Sequence, residues 1–103
     1  MDQTQIKLTQ KYLVFSSLRS IAIFEVNSGR KIFKTFTNKI VLFAINDSSN
    51  RLIIAFEDSS YLQAITLYEI DMNEGILTKP KETDLFPFQN YRYGRIEFLD
   101  KAG

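Results

Sequence analysis

The sequence has no cysteine, no histidine and no tryptophan. The missing cysteine excludes a disulfide framework, and without cysteine or histidine there is no thiolate or imidazole zinc site. The same gap removes the side chains that most often serve as nucleophile and base near neutral pH. Long apolar runs are lacking too. The longest, Ile40-Val41-Leu42-Phe43-Ala44-Ile45, falls far short of the roughly 20 residues that span a bilayer. The start, Met1-Asp2-Gln3-Thr4-Gln5, has neither the basic residues nor the apolar core of a secretory signal. The expectation is therefore an intracellular protein, cytoplasmic or nuclear, with no membrane partner. On that expectation Asn46-Asp47-Ser48, which fits the N-glycosylation pattern, reads as a turn. No charge dominates either. Thirteen basic residues against 12 acidic ones leave a net charge of +1, which gives no long-range field toward nucleic acid or an anionic surface.

Apolar residues make up 45% of the 103, enough for a packed core, and a chain of this length reads as a single β domain, 1–103. The apolar segments are short, rich in β-branched and aromatic residues, and separated by Gly, Asn, Asp and Ser. Such spacing predicts strands at Lys7–Leu8, Tyr12–Ser16, Ser20–Val26, Lys31–Thr37, Ile40–Ile45, Leu52–Phe56, Ala64–Asp71, Leu77–Thr78 and Arg95–Leu99. Turns fall at Asn27-Ser28-Gly29, at 46–50, at 57–60 and at Asn73-Glu74-Gly75. Leu62, Ile65, Glu69 and Met72 are also spaced as on a helix, but the β-branched and aromatic residues at the centre of that stretch favour a strand. The segment 79–90, with Pro80 and Pro87, reads as a long loop or an extended crossing between sheets.

One stretch recurs. Ile21-Ala22-Ile23-Phe24-Glu25-Val26-Asn27 aligns with Ile65-Thr66-Leu67-Tyr68-Glu69-Ile70-Asp71, and a glycine follows each copy, Gly29 and Gly75. Each copy also follows an apolar strand, Tyr12–Phe15 and Arg51–Ala55, and extra residues near 57–62 lengthen the second hairpin loop. Repeats about 44 residues apart, each with short strands, match the unit of a stacked-sheet array. On these residues, above all Ile23-Phe24-Glu25 and Leu67-Tyr68-Glu69, with Phe98-Leu99-Asp100 as a further match, the chain resembles a divergent segment of the WD40 β-propeller family. The resemblance covers Lys11 to Gly75 and rests on strand pattern alone, because the family's Trp and its Gly-His pair are absent.

The resemblance implies an all-β fold of antiparallel, blade-type sheets in approximate units 7–45 and 46–103. A propeller closes with 4–8 blades, so about two leave it incomplete. The alternative is a small β-sandwich or barrel. Unclosed blades expose apolar faces and strand edges, so a protein partner or self-association is expected.

Few residues carry candidate chemistry. Glu25 and Glu69 share one repeat position and read as turn supports rather than catalytic acids. Asp71 with Glu74, and Asp47 with Glu57 and Asp58, read as solvated turns rather than cation sites. No cofactor, metal or small-molecule substrate is expected, and the chain is not expected to be an enzyme. The candidate partner-binding residues are Phe86, Phe88, Tyr91, Arg92, Tyr93 and Arg95. Arginines interleaved with aromatics can stack bases and neutralise phosphates, and paired aromatics can anchor a protein. The leading expectation is thus a non-catalytic protein-interaction or scaffold module of a larger assembly. Its rivals are an RNA-associated accessory subunit supporting a catalytic partner and a standalone β-barrel or sandwich binding domain.

Overall fold

A computed structural model describes residues 4–57 and 64–79. Eight strands run in order: β1 Gln5–Leu8, β2 Tyr12–Ser17, β3 Ser20–Glu25, β4 Lys31–Thr35, β5 Ile40–Asn46, β6 Arg51–Phe56, β7 Ala64–Asp71 and β8 Ile76–Thr78. They form two antiparallel sheets, β1-β2-β3-β4 and β5-β6-β7-β8, in which neighbours in sequence are neighbours in space. The fold is all-β, with no helix among the described residues. The expected Arg95–Leu99 strand and the 79–90 loop fall wholly or almost wholly outside them.

The strands begin and end close to their expected limits, and the exceptions have causes. The expected strand Lys31–Thr37 stops at Thr35 because the chain then crosses to the second sheet. At this crossing the Phe36 amide donates to the Arg19 carbonyl (2.7 Å) and the Ile40 amide to the Leu18 carbonyl (2.7 Å). Both carbonyls belong to the tight β2–β3 turn, where Leu18 has a φ of 21°. The division between units also moves. Ile40–Asn46 pairs with Arg51–Phe56 in the second sheet, so the break between sheets lies at 36–39 rather than between 45 and 46.

Alternation sorts each strand onto two faces. In sheet one, Val14, Ile23 and Ile32 stand opposite one another across β2, β3 and β4, and Ser16 opposes Ile21. This Ile21 face packs on sheet two, where Phe43, Leu52, Ile54, Phe56, Tyr68 and Ile70 complete the main core. Phe36 fills the crossing, its ring 4.9 Å from Phe56 and 5.9 Å from Tyr68. Burying such a cluster stabilises by roughly 1.5–3 kcal/mol per large side chain. A second cluster, Ala44, Ile53, Ala55 and Leu67, lies on the other face of sheet two.

Two glycines close equivalent hairpins. Gly29 (φ 76°) and Gly75 (φ 73°) each donate their amide to the last residue of the preceding strand, Glu25 at 2.7 Å and Asp71 at 2.8 Å. Positive φ at that point suits glycine, as the sequence led one to expect. Measured from these turns, β7 is two residues longer than β3, which is one full pleat. The extra pleat leaves the facing of every repeat position unchanged.

Candidate binding surfaces

Two surfaces stand out, one polar and one apolar. The polar one is an open cleft of about 450 Å³ at the hairpin end of the molecule, between the two sheets. Its wall comes from the start of β2 and from three turns, β3–β4, β5–β6 and β7–β8, and carries Lys11, Glu25, Arg30, Asn50, Asp71 and Asn73.

Asn50 organises one side. It ends the β5–β6 turn at a φ of 58°, a left-handed conformation that Asn tolerates better than most residues. Its Oδ1 accepts from the Tyr12 hydroxyl at 2.6 Å and from Lys11 Nζ at 2.7 Å. Its backbone carbonyl accepts from the Ile70 amide at 2.8 Å. One residue thereby ties sheet one to the centre of sheet two. Burial raises the Tyr12 phenol above its ordinary pKa, and the carboxylates of Glu25 and Asp47 add to the shift.

Arg30 organises the other side. Its Nη2 donates to Glu25 Oε1 at 2.8 Å and its Nη1 to Asn73 Oδ1 at 3.0 Å, which bridges the two glycine hairpins. The Ser28 hydroxyl donates to the same Glu25 oxygen at 2.5 Å. This bond from Ser28, and then those from Arg30, hold the Glu25 carboxyl below its usual pKa. Glu69, the repeat counterpart of Glu25, pairs instead with Arg51 at 3.3 Å. Glu25 thus supports its turn, as the repeat position suggested, whereas Glu69 forms a cross-strand pair within β6–β7. The chemistry of the cleft is hydrogen bonding and ion pairing. No group of three or more potential metal-ligating side chains gathers among the described residues.

The apolar surface is the other face of sheet one. Across its four strands Ile6, Phe15, Ala22 and Phe33 stand in one row, and Leu8, Leu13, Phe24 and Lys31 in the next. Ile6, Leu8 and Phe33 are 60%, 70% and 61% exposed. Phe15 and Phe24 meet edge to face at 5.8 Å, and Lys31 Nζ lies 5.9 Å above the Phe24 ring. Lys31 is the one charged residue in the two rows. An antiparallel sheet that meets water on one face carries polar residues there. This face carries aromatics and aliphatics in those two rows instead.

Phe86, Phe88, Tyr91, Arg92, Tyr93 and Arg95 lie outside the described residues. The residues that do converge, Lys11, Arg30, Asn50 and Asn73 in the cleft and Ile6, Leu8 and Phe33 on the open face, were not singled out by sequence reasoning. A signal existed for the second group: Leu13-Val14-Phe15 and Ile32-Phe33 place large apolar residues on both sides of one strand. No helix among the described residues is long and apolar enough to cross a membrane. No protein family, no curated protein and no solved structure matches the chain.

Proposed function

We propose that this chain is a non-catalytic protein-interaction module, and that it binds through the open face of sheet one. The observation that carries this reading is the exposure of Ile6 and Leu8 at one edge and Phe33 at the other edge of a single face, with Leu13, Phe15 and Phe24 between them. Each wastes apolar surface on water at about 25 cal/mol per Å², a cost that a bound protein surface removes. Most of the face is preformed, because the Ile21 side of β2, β3 and β4 is locked into the core. Binding there needs little reordering, which favours affinity.

The test is a fluorescent dye that brightens on apolar protein surface. The folded chain is expected to bind it, and the double variant Leu8→Lys, Phe33→Lys is expected to lose most of the signal with an unchanged far-ultraviolet circular dichroism spectrum. A folded chain that leaves the dye dark overturns the reading.

A further inference from the structure

The repeat and the core define a polarity. Ile21 and Ile23 of the first copy lie in the cluster between the sheets. Their counterparts Ile65 and Leu67 lie on the far side of sheet two, in the separate second cluster. The reverse holds for the aromatic position. Tyr68 points into the cluster between the sheets, whereas Phe24 points away from it, into the row of the open face. Unlike faces therefore meet: the Ile21 face of one unit packs on the Tyr68 face of the next. In a sandwich with two-fold symmetry, like faces would meet. Head-to-tail packing does not end itself, since each added unit leaves the same two faces at the ends.

The two ends of this stack are not alike. On the Leu67 face Ile53 and Ala55 are fully buried, so that end is covered. At the other end the Phe24 face is open. The turn position contrasts the open end with the junction, since Met72 belongs to the cluster between the sheets. Met72 is buried at 8% exposure, and Val26, at the matching place before Gly29, is 49% exposed.

Resting on the interaction-module reading, we infer that the Phe24 face receives one further four-stranded antiparallel sheet of this repeat type, stacked head to tail and presenting a β-branched aliphatic face. The existing junction is the template. There, aliphatic Val14, Ile21, Ile23 and Ile32 fit against Phe43, Phe56 and Tyr68. The open face repeats the aromatic half of that match with Phe15, Phe24 and Phe33. A second intact copy does not supply the aliphatic half. Its Ile21 face is occupied by its own sheet two, and its Leu67 face is covered. The occupant is an additional blade-like sheet, not a symmetric mate.

The experiment extends the chain at its N-terminus by a second copy of residues 40–79, fused directly to Met1. The join, Lys79 followed by residues 1–4, is one residue longer than the natural 36–39 crossing. The added unit brings Ile65 and Leu67 to the open face. The extended chain is expected to melt at least about 5 °C higher than the parent, while the Tyr68 face of the added copy, now the open end, still binds dye. Ile65→Lys with Leu67→Lys in the added copy alone should restore parental melting. Two results overturn the inference: an extended chain that melts like the parent, or a parent whose open face is covered by self-pairing. Self-pairing would appear as a dimer by sedimentation that Phe33→Lys dissociates. A parent that binds dye beside an extended chain that melts no higher defeats this inference alone. A folded monomeric parent that binds no dye defeats the interaction-module reading itself.

Discussion

Phe24 and Tyr68 occupy the same position of the repeat and face opposite surroundings. Tyr68 is 7% exposed and sits 5.9 Å from Phe36 within the core between the sheets. Phe24 stands on the outside of sheet one with Phe15 and Lys31 as its neighbours. Truncation should separate them. Tyr68→Ala is expected to cost about 3–5 kcal/mol, as large aromatic deletions in cores do. Phe24→Ala should cost about 1 kcal/mol, because little packs on it beyond its own sheet. Urea unfolding of the two variants measures the difference, and equal losses would mean that both faces are equally packed.

The bond from Tyr12 to Asn50 is the most direct polar tie between the sheets. Tyr12→Phe removes the donor and should destabilise by about 1 kcal/mol. Asn50→Gly keeps the left-handed turn available and removes the acceptor, so its cost reads the side chain rather than the backbone. In a double-mutant cycle the two changes should couple by about 0.5–1.5 kcal/mol. Strict additivity would show that the contact contributes nothing to stability.

Two limbs of a stability–pH curve follow from the cleft. The Glu25 carboxyl titrates below its ordinary value of 4.5 in the folded chain. A lowered folded pKa gives stability that is full above the unfolded value and is lost as pH falls through the folded one. Stability should therefore decline below about pH 4.5, and Glu25→Gln should flatten part of that decline. Tyr12 and Tyr68 are shifted the other way, above 10.0, chiefly by burial. Raised folded pKa values give stability that is full below about pH 10 and is lost above it. Replacing both with Phe should flatten the alkaline limb. Thermal melts across pH 3 to 11 check both signs.

Among the described residues Ser16 is a buried polar residue within the core, at 1% exposure. Its Oγ has no hydrogen-bond partner among the described residues. A buried hydroxyl without a partner costs about 1–3 kcal/mol. Ser16→Ala is thus expected to stabilise by about 1 kcal/mol in chemical denaturation, and a loss of similar size would mean the hydroxyl is satisfied.

Much of this architecture was legible in the sequence because it is written locally. Strand limits follow from apolar, β-branched runs such as Leu52-Ile53-Ile54, bounded by Asn and Asp. Gly29 and Gly75 marked their hairpins because positive φ excludes most other residues. The β2–β3 turn carried no such mark. Leu18 and Arg19 are poor turn residues, and their turn is held by bonds from the crossing, which sequence spacing does not reveal. Assigning β5 to the second sheet failed for a related reason. An apolar strand between two units fits either one, and only pairing with Arg51–Phe56 decides. The cleft was hidden because Lys11, Arg30, Asn50 and Asn73 are far apart in the chain and meet only once the sheets stack.

Strand order that follows chain order has a kinetic consequence. Every pairing in either sheet joins strands adjacent in sequence, so hairpins can zip on a microsecond scale with small loop-closure cost. The distant step is the meeting of the two sheets around Phe36, which joins residues such as Tyr12 and Asn50. Sheet docking is then the late event of folding. Substitutions at the junction speed unfolding, and substitutions within a hairpin slow folding.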